Sequence, residues 1–196
     1  MGAEGLGDYN YGQCNALAVS GTTLTKGADL VVNSGTASYI SVSMSSATEG
    51  VVCYMDISNS EYGTCNALAV SGTTLTKGAD LVVNSGNTNY ISVSMFSATQ
   101  GIMCYMDQSN SEYGTCNALV LSGTTLTKGA DLVVNSGSTY YISVSMSSAT
   151  QGVVCYRDNS NSNYGTCNAL ESPTGDSAHT SHAPTIWGML QCRMIW

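Results

Sequence analysis

Positive charge is scarce in this chain: five of 196 residues are Lys or Arg against thirteen Asp or Glu, and the formal net charge is -8. Three of the five, Lys26, Lys77 and Lys128, are one position repeated. Such a surface cannot neutralise a run of phosphates, which argues against nucleic acid and anionic membranes as partners. No apolar stretch approaches the roughly 20 residues that cross a bilayer, so membrane insertion is not expected. The opening MGAEGLGDYNYG has neither the basic start nor the apolar middle of a signal peptide. Its abrupt beginning, late in a repeat-like phrase (YNYGQC beside EYGTC), leads us to expect a fragment or a trimmed array. The repeats hold no histidine and no paired CxxC, so neither a metal nor another cofactor is predicted.

What the chain has is repetition. Three near-copies of a 51-residue unit start at Cys14, Cys65 and Cys116, and the first two differ at only eight positions. The expected organisation is a partial repeat or edge at 1–13, repeats at 14–64, 65–115 and 116–166 forming one body, and a non-repeating tail at 167–196. A catalytic centre needs one asymmetric set of groups, whereas a tandem array presents the same groups again and again. A non-enzymatic protein is therefore expected. With 43% apolar residues the chain can bury a core. Its Ser, Thr and Asn content and shortage of Lys suggest an extracellular or cell-surface location.

Each unit also divides into halves that align without gaps, residues 17–39 over 40–62, giving half-units that begin at Leu17, Ile40, Leu68, Ile91, Leu119 and Ile142. Within a half, Leu17, Val19, Leu24, Leu30 and Val32 alternate with polar residues at a period near two, the mark of strands. Ile40, Val42, Met44, Val51, Cys53 and Met55 take the matching inward places in the second half. Breaks at Gly21, Gly27, Gly35 and Gly50 read as corners. This pattern predicts an all-β fold, a right-handed parallel β-helix (β-solenoid) of about six coils; a β-trefoil is the alternative. The substitutions TAS, NTN and STY at residues 36–38, 87–89 and 138–140 are expected at an exposed corner.

The phrases LVVNSGxT and VSGxxL, spaced through a run rich in Ser, Thr and Gly, resemble the coil repeats of self-associating autotransporter adhesins of the diffuse-adherence type. The resemblance runs from Leu17 to about Asn168 and implies right-handed β-helices on a bacterial surface with an adhesive or aggregating role.

Stacked coils would turn outward positions into columns. One runs through Thr23, Thr25, Ser46, Thr48, Thr74, Thr76, Ser97, Thr99, Thr125, Thr127, Ser148 and Thr150, a hydroxyl and methyl ladder suited either to ice binding or simply to a soluble strand surface. Another alternates Lys26, Glu49, Lys77, Gln100, Lys128 and Gln151, which avoids like-charge neighbours. Asp29, Asp80 and Asp131 read as register devices, and Asn15, Asn66, Asn117 and Asn168 as a structural turn column.

Eight cysteines are compatible with an oxidising compartment. Local bridges would join Cys53 to Cys65, Cys104 to Cys116 and Cys155 to Cys167; the other schemes are Cys14 to Cys53, Cys65 to Cys104 and Cys116 to Cys155, or buried free thiols. In the tail, His179 and His182 with Asp176 and Ser177 read as solvated chain, while IWGMLQCRMIW is apolar enough to cover the open end of the last coil. The expectation is a structural or adhesive repeat protein that associates with itself end to end or laterally. Ice binding through the ladder and glycan binding by a trefoil lectin are the alternatives.

Overall fold

The computed structural model describes residues 10–171 and 191–193. His179, His182, Asp176, Ser177 and all of IWGMLQCRMIW except Gln191–Arg193 lie outside the described residues. The fold is all-β. Its strands are β1 (Tyr11–Ser20), β2 (Thr23–Met44), β3 (Glu49–Asp56), β4 (Tyr62–Ser71), β5 (Thr74–Lys77) and β6 (Leu81–Met95). They continue with β7 (Gln100–Asp107), β8 (Tyr113–Ser122), β9 (Thr125–Met146), β10 (Gln151–Asp158), β11 (Tyr164–Glu171) and β12 (Gln191–Arg193).

All the strand pairs among the described residues are antiparallel, and the path runs openly from β1 to β12 with β5 continuing the line of β6 along β4. The expected right-handed parallel β-helix of six coils does not form, nor does a closed trefoil. The physical reason is that each repeat contains true reversals where coil corners were expected. Gly21, at φ 59°, makes a two-residue turn that pairs Ser20 with Thr23. Between β3 and β4 the chain reverses through a 3-10 turn at Ile57–Asn59, capped by the Asp56 carboxylate, which accepts from the Asn59 amide at 3.2 Å. Ser60 and Glu61 then take positive φ (56° and 62°) to re-enter the sheet. The two gap-free halves thus contain different turns, and Leu17 pairs with Lys26 while Ile40 stands in the far half of β2.

Repetition instead stacks antiparallel layers. The long strands belong to two layers each: β2 pairs with β1 through residues 23–36 and with β3 through residues 37–44. Residues 81–87 of β6 pair with β4 and residues 88–95 with β7, while β9 divides at residues 138 and 139 between β8 and β10. The first layer holds β1 and the start of β2. The second holds the end of β2, β3, β4 and the β5–β6 line, and the third and fourth repeat that order. In the fourth, β12 stands where the next long strand would be: Cys192 opposes Cys167 as Leu81 opposes Cys65 and Leu132 opposes Cys116.

Inner layers are covered on both faces, so their strands read as unbroken apolar runs. Val51, Val52, Cys53 and Tyr54 in succession are at most 1% exposed. Alternation then deals residues to opposite interfaces. Val51, Cys53, Met55, Cys65 and Ala67 pack with Ile91, Val93, Met95, Met103 and Tyr105 of the next layer. Val52, Tyr54 and Leu68 pack backward on Val32 and Ala37. Cys104, Met106 and Cys116 meet Val144, Val154 and Tyr156 in the following interface.

Two devices let successive repeats approach closely. Ser41 and Ser43 accept hydrogen bonds from the amides of Val93 (3.1 Å) and Met95 (2.9 Å), and Ser92 and Ser94 repeat this with Val144 and Met146 (both 3.1 Å). These amides lie on an otherwise open strand edge, where a hydroxyl satisfies the donor without adding another strand. At Gly27 and Gly78 an added Cβ would fall 2.0 and 1.9 Å from the carbonyl oxygens of Thr73 and Thr124, so a side chain there would drive the repeats apart. The variable triplets are not an exposed corner: Thr88 and Thr139 are wholly buried at the bend of their long strands, each donating to a glycine carbonyl two residues back at 2.7 Å.

Candidate functional site

The most regular chemistry lies in the β3–β4 hairpin of each repeat. Antiparallel register places Cys53 opposite Cys65, Cys104 opposite Cys116 and Cys155 opposite Cys167, and each pair is disulfide-bonded with Cα atoms 4.1 Å apart. Local bridging is therefore the scheme formed. The Cys65 sulfur also rests 3.4 Å from the Met103 sulfur of the next layer, so the bridge is part of the layer contact. Cys14 occupies the position equivalent to Cys65 and is the free cysteine among the described residues; partial burial raises its thiol pKa.

Next to each disulfide runs a polar chain on the opposite face. The Tyr54 hydroxyl donates to Asn66 Oδ1 at 3.0 Å, and Asn66 Nδ2 donates to the Gly78 carbonyl at 3.2 Å and to Asp80 at 2.6 Å. Lys77 closes the chain on Asp80 at 2.7 Å. Tyr105, Asn117, Asp131 and Lys128 repeat it with distances of 3.0, 2.6 and 3.0 Å. Burial, with the nearby Asp80 and Asp56 charges, pushes the Tyr54 phenol well above its ordinary range, and burial does the same to Tyr105. These phenols stay protonated, so the chain is a fixed hydrogen-bond register rather than a proton path. Burial works against ionisation of Asp80, but hydrogen bonds from Lys77 and Asn66 outweigh it and hold the carboxyl below its usual range. Asp131 is lowered by Asn117 and Lys128. The lysines pair with Asp three residues on, at 2.7 to 3.0 Å, instead of standing in a column with Glu49, Gln100 and Gln151.

Among the described residues the polar chain has fewer members in its first and last copies. Asn15 bonds Asp29, and Asn168 donates to the Tyr156 hydroxyl at 2.9 Å and the Val134 carbonyl at 3.2 Å.

The twelve ladder residues fall in two settings. Thr23 and Thr25 on β2, Thr74 and Thr76 on β5, and Thr125 and Thr127 on β9 are exposed strand residues just after the glycine turns. Ser46 with Thr48, Ser97 with Thr99 and Ser148 with Thr150 sit in the hairpin turns that follow the long strands. There the serine oxygens accept the amides of Glu49 (3.0 Å), Gln100 (2.9 Å) and Gln151 (3.1 Å) and close the turn. The two settings meet at β4, where Val70 donates to the Thr48 carbonyl at 2.8 Å on one side and pairs with Leu75 on the other.

A tyrosine column was not anticipated from the sequence. Tyr39, Tyr90 and Tyr141 all have positive φ (52°, 52° and 54°) at the bulge where each long strand changes layer. Their rings stand 5.1 and 5.0 Å apart in tilted contact, and Arg157 lies 4.9 Å from the ring centres of both Tyr140 and Tyr141. A bulky residue in this backbone region costs about 1–2 kcal/mol, which ring packing between repeats offsets in part. The signal was present as a tyrosine recurring every 51 residues at the junction of the halves. Among the described residues no group of three His, Cys, Asp or Glu could hold a metal ion. No protein-family model matches the chain, and no curated protein matches it.

Proposed function

We propose that the protein is an extracellular structural element with an adhesive role, a disulfide-clamped stack that associates with further copies of itself. One observation carries this reading: the same disulfide clamps the hairpin of three successive layers, and the same tyrosine and serine contacts recur between one layer and the next. Three bridges fit an oxidising compartment. The likeness of LVVNSGxT and VSGxxL to self-associating adhesin repeats supports the adhesive part. Latex beads coated with the full chain should clump and hold to glass, and a reductant that opens the disulfides should release them. Oxidised beads that neither cohere nor hold to a surface would remove the adhesive role.

Ice binding is a second reading, supported by the six exposed threonines that follow the glycine turns. Replacing Thr76 and Thr127 with Lys should then abolish thermal hysteresis with unchanged circular dichroism. Absence of hysteresis in the parent chain would discard the idea.

A further inference from the structure

Each disulfide closes one hairpin across 12 residues, so none of the three ties a layer to its neighbour. The tyrosine column does run from layer to layer. The Tyr90 ring lies 5.1 Å from that of Tyr39 in the preceding repeat and 5.0 Å from that of Tyr141 in the following one, tilted by 50° and 57°. Tyr140 adds an edge contact to Tyr90 at 5.4 Å, and its hydroxyl donates to Glu112 at 3.1 Å.

Ring packing alone does not account for the residue type. The backbone at Tyr39, Tyr90 and Tyr141 is left-handed, where Gly or Asn would sit with less strain, and a phenylalanine ring would pack as a tyrosine ring does. What the three positions share beyond a ring is a phenol hydroxyl, and the hydroxyl ends gather. Burial, and then the ionised phenols of Tyr39, Tyr141 and Tyr140, raise the Tyr90 pKa, with Arg157 acting against them. Convergence of the hydroxyls brings together the ring carbons beside them, which are the carbons at which a tyrosyl radical reacts. The tyrosines of the polar chain are differently placed: Tyr54 and Tyr105 each spend the hydroxyl on an asparagine oxygen at 3.0 Å.

We propose that the column is a site of oxidative cross-linking, at which Tyr90 couples to Tyr39 or Tyr141 as dityrosine and staples one layer covalently to the next. The oxidant is hydrogen peroxide acting through a haem peroxidase. Each of the two phenols gives up one electron and its hydroxyl proton, and the two electrons and two protons reduce one peroxide to two waters. The two phenoxyl radicals join through a carbon ortho to each oxygen, forming one C–C bond. The hydrogen on each of those carbons then leaves as a proton and returns to the phenol oxygen, so both rings are phenols again and the chain has lost two hydrogens. A radical formed on one member passes along rings in contact, so coupling does not require that Tyr90 itself face the enzyme. The new bond closes a loop of 51 residues and survives reduction of the disulfides. It goes beyond the adhesive reading and does not depend on it.

Peroxidase and hydrogen peroxide applied to the dilute full chain, followed by disulfide reduction, proteolysis and mass spectrometry, test the proposal. The monomer fraction should show dityrosine fluorescence, and its linked peptides should join Tyr90 to Tyr39 or Tyr141 with the loss of two hydrogens. Tyr90→Phe keeps the ring, so its circular dichroism should match the parent while these linked peptides vanish; Tyr164→Phe, outside the column, should leave their yield unchanged. Oxidation in urea with the disulfides reduced should scatter the links among the tyrosines. A folded parent with no Tyr90-linked peptide under conditions that couple free tyrosine, or one with the same pattern of links folded and unfolded, would overturn the proposal. If Tyr90→Phe disturbs the fold, the folded and unfolded parent still decide.

Discussion

The inner layers and the outer ones are built of nearly the same sequence in different surroundings. Cys104 and Cys116 are sealed between layers, whereas Cys155 and Cys167 are partly open; Gly78 is filled by a neighbour's carbonyl, and Gly129 meets no such carbonyl among the described residues. Asn117 completes its bonds through Asp131, while Asn168 finds no partner for its carbonyl oxygen among the described residues. Burial in this protein is therefore assigned by the neighbouring layer and not by the residue itself. A repeat this small cannot enclose its own core, so each position is worth what the adjoining repeat makes of it.

The sharpest way to break the comparison is to charge equivalent valines, Val93 buried between layers and Val42 exposed among the described residues. Val93→Asp places a carboxylate in a closed apolar interface and should cost about 4 kcal/mol or more, enough to prevent folding at 37 °C. Val42→Asp should change the urea midpoint by no more than about 0.5 kcal/mol equivalent. Comparable losses would mean that the two sites are not in different environments.

Disulfide removal should come next in size. Every bridge spans 12 residues, so loss of loop restraint contributes about 3 kcal/mol in each case. The Cys104→Ala, Cys116→Ala pair also leaves a closed void, adding about 1–2 kcal/mol beyond Cys155→Ala, Cys167→Ala. Thermal unfolding of the two double variants measures this difference, which should vanish if the layers do not cover the middle bridge. Glycine gives a smaller contrast. Gly78→Ala forces the Thr124 carbonyl away and should cost about 1–3 kcal/mol, against about 0.5 kcal/mol or less for Gly129→Ala in the monomer.

Acid sensitivity is the mildest effect. Asp80 and Asp131 have carboxyls lowered in the folded chain, so their contribution is present above the ordinary carboxylate range and is lost as pH falls through the lowered native value. Both are more than a third exposed, which limits the total to about 1 kcal/mol. Urea midpoints measured from about pH 5 to about pH 3 should fall, and the fall should flatten in an Asp80→Asn, Asp131→Asn chain.

The all-β class and the cysteine spacing were legible in the sequence because they depend on period and composition. Strand direction was not. An alternation of two is the same in parallel and antiparallel strands, and the chance alignment of Leu17 with Ile40 suggested coils where there are hairpins. The signals for reversal lay in the polar run from Asp56 to Gly63 and in the Ser-Gly-Thr-Thr turn at residues 20–23, both hairpin connections. GTCNA at 63–67, outside the two aligned halves, belongs to the inner strand β4 and carries both the bridge cysteine and the asparagine of the polar chain. The tyrosine column depends on a left-handed backbone that side-chain pattern does not encode, since nothing in the residue type of Tyr39 announces φ 52°.

Layer-upon-layer covering is tested most directly by amide hydrogen exchange at the three copies of Ile-Ser-Val-Ser-Met, residues 40–44, 91–95 and 142–146, measured on the monomer at low concentration. The amides of Val93 and Val144, each bonded to a serine of the preceding repeat, should exchange about a hundredfold or more slower than that of Val42, which among the described residues has no such serine. Equal rates at all three valines would contradict the stacking on which the account depends.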